Sequence, residues 1–218
     1  MVWAVRVVSH PMTIDSAWLA GMKADAPDAF TPEPPFAPNG VFIDGQIRLM
    51  CPTHAERCTT WDQYVTNQFE RTVEKYFRVG VKGVILAFDD YAHVPVAKSM
   101  TQSKRKRNVP TVDFSDRSQL PPTVPMGEHW ATLIMNRTFK TVVIHLVIDQ
   151  LIKRIPSFLS EGQTFIVDYK GSPVCYDMTG MRVLEEFEGL GEADVKFPRY
   201  TRMFPFLQVR PRSQGSIV

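Results

Sequence analysis

The sequence predicts an α/β fold, a three-layer sandwich around a central, mostly parallel sheet. Two observations predict it. Short apolar runs at 41–43, 83–88 and 164–167 are separated by stretches of helical periodicity, the pattern of buried strands joined by crossover helices. Each run ends in aspartate, at Asp44, Asp89 and Asp168. In parallel sheets the ligand site lies beyond the carboxyl ends of the strands.

The elements follow in order. Residues 1–40 read as an N-terminal extension, with a small strand over 2–8 and a helix over 16–23. Five of the seventeen prolines fall within 26–40, so that stretch is an extended lead-in. Val41-Phe42-Ile43 is a buried strand stopped by Asp44-Gly45. A helix spans 61–78, with Trp61, Tyr64, Val65, Phe69, Val73, Tyr76 and Phe77 on one face. Thr60 and Gln63 fit a capping box, and Gly80 fits the stop. The run 83–88 is apolar throughout and reads as a central strand. Residues 98–107 begin as a basic helix, and 108–128 are irregular and proline-rich. One long helix is expected over 129–155, then a strand over 164–167. Val174-Cys175-Tyr176 is a short strand or a turn. A further helix begins near Gly191, and Ser216-Ile217-Val218 read as the first residues of another strand.

The chain has 218 residues and is 44% hydrophobic, enough for one sizeable core. Its formal charge is only +2, so a nucleic-acid partner would have to be met by a local patch rather than a global field. Three cysteines (Cys51, Cys58, Cys175) form no closed disulfide set and suit a reducing compartment. The strongest apolar run, 142–148, is too short to span a membrane. The expectation is an intracellular chain without a membrane partner, with nucleus and cytoplasm equally open.

Aspartates at strand ends gather in one crevice, and hard cations such as Mg²⁺ prefer such oxygen ligands. Two such ions can clamp a phosphodiester and activate a water for in-line attack. Taken singly, each aspartate is more readily a strand terminator or helix cap. The constellation is what points to metal. Glu192-Ala193-Asp194 after Gly189-Leu190-Gly191 adds two carboxylates at a predicted helix start. Of Asp89 and Asp90, Asp89 is the expected ligand and Asp90 a turn or supporting residue, because adjacent extended residues point apart. Just beyond lie Lys98, Lys104, Arg105, Lys106 and Arg107. On a helix Lys98 and Arg105 share a face that would hold phosphates near the metal. The same run also suits a solvated helix face or an import tract.

The stretch Val84-Ile85-Leu86-Ala87-Phe88-Asp89-Asp90, then Pro95, Lys98-Ser99 and Lys104-Arg105, resembles the PIN-like 5′-nuclease superfamily of flap endonucleases and 5′→3′ exoribonucleases. Gly191-Glu192-Ala193-Asp194 is similar to that family's Gly-Glu-x-Glu motif. The resemblance covers about 41–107 and 160–218. It implies a divalent-metal-dependent nuclease acting on DNA or RNA, using Mg²⁺ or Mn²⁺, with two ions in a complete domain. It implies Asp44, Asp89, Glu192 and Asp194 as metal ligands and Lys98 and Arg105 as catalytic phosphate contacts. Nucleic acid would meet Lys98, Lys104, Arg105, Arg107 and Tyr91, the last as a stacking platform. Asp44 is preferred over Asp15 as the first aspartate, because it lies one strand-helix unit before Asp89. Asp168 matches no family ligand and is assigned a supporting place.

Asp90 replaces the family's usual glycine, and Asp194 its second glutamate. The family also carries an Asp-x-Asp pair at the end of the strand after the acidic helix. The last three residues read as the start of that strand, so the PIN-like domain (41–218) is expected to be truncated. A module that keeps the fold without catalysis, serving as scaffold or nucleic-acid binder, is the alternative. An unrelated phosphohydrolase with Asp89 as nucleophile is disfavoured, because Asp89 lacks the matching Asp-x-Asp. Zinc at Cys51, His54 and Cys58 lacks a fourth ligand. His93 is either a substrate contact or turn packing. Trp130, Phe139 and Tyr169 are read as core.

Overall fold

The computed structural model describes residues 39–50, 58–90, 112–185, 196, 199–200 and 203–204, and the backbone of 207–210. The expected strands form where the apolar runs lie. β1 is Gly40–Asp44, β2 is Gly83–Ala87 and β3 is Thr164–Asp168. β1 and β3 both pair parallel with β2, and all three are buried along almost their whole length. Burial on both faces explains why they read as continuous apolar runs rather than alternating ones.

Three more strands complete a six-stranded sheet. β4 (Val174–Asp177) and β5 (Gly180–Val183) form an antiparallel hairpin beside β3, and β6 (Leu207–Arg210) pairs parallel with β1. The order is β5-β4-β3-β2-β1-β6. The sheet is therefore mixed, with a parallel centre as expected and an antiparallel margin.

Helices cover one face. α1 (Gly45–Met50) follows β1 directly. The expected helix over 61–78 forms as α2 (Trp61–Val65), a π-helical stretch (Thr66–Glu70) and α3 (Arg71–Arg78). The Thr60 capping box is made from both sides, and Gly80 takes a φ of +86° beyond the last turn. The single helix expected over 129–155 is instead two, α4 (Gly127–Ile134) and α5 (Arg137–Arg154), bent by 99° at the junction. Asn136 makes the break. Its backbone is extended (ψ 125°), its side chain accepts from the Phe139 N–H at 3.0 Å, and its amide donates to the Val112 carbonyl at 2.7 Å.

The larger core lies on this helical face. Val41, Ile43, Val84, Leu86 and Phe165 of the strands meet Tyr64, Val73 and Phe77 of the first helical unit and Phe139, Val143 and Val147 of α5. Trp130 and Phe139 are core, as expected. Fully burying an aliphatic or phenyl side chain contributes about 1.5–3 kcal/mol. Phe42, Ile85, Ala87 and Ile166 point to the other face, where Leu184, Tyr200 and Phe204 cover them. The sheet thus lies between two layers.

Candidate functional site

β1, β2 and β3 end level. Asp44 is in register with Ala87, and Ala87 with Asp168. All three continue the face of Phe42, Ile85 and Ile166. Strand spacing puts Asp44 and Asp168 about 10 Å apart at the backbone. Asp44 is half-buried and accepts the Ile47 N–H on Oδ1 at 3.0 Å, so it starts α1 as it ends β1. The Phe88 N–H donates to the Asp168 carbonyl at 2.9 Å, carrying the ladder one residue past β2. Asp89 follows immediately and is half-buried, whereas Asp90 is only 3% exposed.

The chain order places a switch point here. The β1–β2 and β2–β3 connections carry their helices on the larger-core face, and each strand is laid down beside its predecessor. The route from β3 to β6 passes Tyr200 and Phe204 on the opposite face and returns to the far side of β1. Connections therefore diverge between β1 and β6, the position at which open α/β sheets leave a crevice beyond the strand ends. Asp44 ends one of those two strands. Gln46, two residues on, is 7% exposed, and neither end of its amide has a hydrogen-bond partner among the described residues. Buried amides are normally satisfied, and among the described residues this one beside Asp44 is not.

Asp168 is not an open ligand. Lys196 Nζ donates to its Oδ1 at 2.7 Å and Tyr200 Oη to its Oδ2 at 2.7 Å, so both carboxylate oxygens are engaged. Lys196 also donates to the Phe88 carbonyl at 3.0 Å. Burial, then the neighbouring Asp168 charge and its hydrogen bond, push the Tyr200 phenol far above its usual range, so it remains a donor. The supporting place assigned to Asp168 thus acquires named partners.

Two buried cations near this edge are absent from the sequence reading. Lys140 lies in the first turns of α5, which begin at the carboxyl edge because a crossover helix runs against its strands. Burial lowers its pKa and the Asp89 carboxylate draws it back up. Arg48 on α1 donates through Nε at 2.8 Å and through Nη2 to the Gln68 carbonyl, and through Nη2 to Thr72 Oγ1 at 2.7 Å. Gln68 Nε2 returns a bond to the Arg48 carbonyl at 2.8 Å. This reciprocal clip ties the segment after Asp44 to the π-helical stretch, and burial lowers the Arg48 pKa.

Of the predicted site residues, the structure places Asp44 and Asp89 on one edge. Tyr91, Lys98, Lys104, Arg105, Arg107, Glu192 and Asp194 lie outside the described residues, as do Asp15, Cys51, His54 and His93. Cys58 is a buried thiol that accepts from the Asn67 amide at 3.5 Å. Among the described residues no three His, Cys, Asp or Glu side chains are grouped as a metal site. A shallow cavity of about 370 Å³, lined by Ser115, Asp116, Arg117, Val142, His145 and Asp149, includes none of the edge aspartates.

The strand expected to begin at 216–218 falls outside the described residues. The first described strand after the acidic motif is β6, which sequence reading did not place, and it already lies beside β1. It is followed by Pro211-Arg212-Ser213-Gln214, with no carboxylate. No family model, curated protein or solved structure matches the chain. Among the described residues no single helix is long and apolar enough to cross a membrane.

Proposed function

We propose that the chain is a divalent-metal-dependent nuclease of the PIN-like 5′-nuclease type, hydrolysing phosphodiester bonds of DNA or RNA. One observation carries the reading: Asp44 and Asp89 leave adjacent parallel strands at the same edge, beside the switch point. Their carboxylates are hard oxygen donors and suit Mg²⁺ or Mn²⁺, which retain waters and need few protein ligands. Glu192 and Asp194 complete the set in this reading. When bound, the ion supplies a Lewis acid for the phosphoryl oxygens and lowers the pKa of a water.

The chain's own residues do the rest. Lys98 and Arg105 hold the scissile phosphate, Lys104 and Arg107 the flanking backbone, and Tyr91 stacks on a base. Asp168 carries its own cation and stays out of the ligand set. With Pro211-Arg212-Ser213 directly after β6, the site in this reading holds one strong ion rather than two.

The test is Mn²⁺ titration by calorimetry on the chain and on Asp89→Ala, followed by hydrolysis of 5′-labelled DNA and RNA. Binding weakened by at least about tenfold in the variant, with cleavage lost, supports the proposal. A second reading is favoured by the carboxylate-free segment after β6: a nucleic-acid-binding or scaffold module without catalysis. Oligonucleotide binding without cleavage at saturating Mn²⁺ selects it. Cleavage undiminished in Asp89→Ala overturns the mechanism.

A further inference from the structure

Resting on that reading, we infer that Lys196, clamped by Asp168 and Tyr200, is a positioning residue that fixes the Phe88–Asp89 turn for metal binding. The Phe88 carbonyl belongs to the peptide bond that leads into Asp89. In a parallel ladder its next partner would be a backbone N–H of the neighbouring strand. β3 cannot continue there: Lys170 takes a φ of +52°, a left-handed conformation that turns the chain away. The Lys196 ammonium takes that place, donating at 3.0 Å to Phe88 and at 2.7 Å to Asp168 Oδ1, with a long contact of 3.5 Å to the Asp168 carbonyl. One buried cation thereby joins the carboxyl ends of β2 and β3.

The chemistry is out of proportion to a packing role. Lys196 is 2% exposed and Asp168 is 3% exposed. Desolvating such a pair offsets its attraction, and apolar residues of similar volume commonly hold a fold as well or better. What apolar residues cannot do is aim a donor at the Phe88 carbonyl. In sequence Lys196 also follows Glu192 by four residues and Asp194 by two. The anchor thus lies within four residues of both proposed ligands in the sequence.

The experiment replaces the whole cluster, so that no charge is left buried alone: Lys196→Met with Asp168→Leu and Tyr200→Phe. Lys196→Arg is the second variant, since it keeps the charge opposite Asp168 but cannot present the same donor. Each is compared with the unaltered chain by urea unfolding, Mn²⁺ calorimetry, and amide exchange at 88–90 without metal. The expected result is folded protein, Mn²⁺ affinity weakened about ten- to a hundredfold, and faster exchange at 88–90 with β1 still protected. Unchanged affinity and unchanged exchange in a folded variant would leave the cluster a packing feature and overturn the inference. If the triple variant does not fold, Lys196→Arg decides by the same two readouts. If the unaltered chain binds no Mn²⁺, the metal reading falls and takes this inference with it.

Discussion

Phe88 links the two aspartates on which the proposal depends. Its ring lies so close to Gly45 that a Cβ there would overlap the ring's Cε1, Cδ1 and Cζ. Gly45 follows Asp44 directly and Phe88 precedes Asp89, so one contact sets both turns against each other. Phe88 is wedged by Phe69 and Tyr169 at 6.3 and 5.9 Å between ring centroids and has little room to yield. Gly45→Ala is therefore expected to cost about 1–3 kcal/mol, read from the urea midpoint, and to weaken Mn²⁺ binding as Phe88 shifts. Full stability in the Gly45→Ala protein would show that the ring moves freely. The glycine is easily read as a turn residue from sequence, yet its reason is a ring 43 positions later. Lys140, and the pairing of Lys196 with Asp168, escape sequence reading for a related cause. A lysine looks solvated until the fold supplies its acceptors, and both do their work across tertiary distance. Asp44 and Asp89 are legible because a carboxylate closing an all-apolar run is a local pattern.

At the scale of elements, legibility follows how local the determinants are. The Thr60 capping box and the Gly80 stop are written within a few residues of the helix they bound, and both form. The π-helical stretch is not written there. It coincides with the Gln68 carbonyl reaching Arg48 on another helix, a demand that periodicity cannot carry. The β4–β5 hairpin is only half legible, because all four residues of β5 are exposed and show no alternation. Asn136 escapes for a different reason: apolar residues lie on both sides, and a 3.6-residue pattern continues across it. Yet it is 5% exposed and satisfied on both ends of its amide, capping α5 and holding Val112. Asn136→Ala removes the cap and the bond to the Val112 carbonyl, at a cost of about 1–2 kcal/mol. Thermal unfolding measures it. Asn136→Asp should retain the cap but lose the Val112 bond, falling between the two. A loss as large in Asn136→Asp as in Asn136→Ala would mean that the cap contributes nothing.

At the scale of the molecule, sequence order alone could predict parallel strands but not which side of β1 the last one takes. Placement of β6 beside β1 creates the divergence of connections and puts the Asp44 end of the sheet at the switch point. After β6 the sequence continues as Pro211-Arg212-Ser213, where the resemblance implies Asp-x-Asp. If the sheet is that of a PIN-like nuclease, the ligands lost there can be restored. Pro211→Asp with Ser213→Asp adds two carboxylates to the sequence that directly follows β6, the strand paired with β1. Calorimetry should then find a second Mn²⁺ equivalent that the unaltered chain lacks, and Asp44→Asn in that background should weaken both. Hydrolysis of labelled nucleic acid should rise with the second ion, because two-metal clamping stabilises attacking and leaving oxygens together. A folded variant with unchanged stoichiometry would mean that the end of β6 does not face the ion held by Asp44 and Asp89. The likeness to the 5′-nucleases would then stop at the parallel sheet.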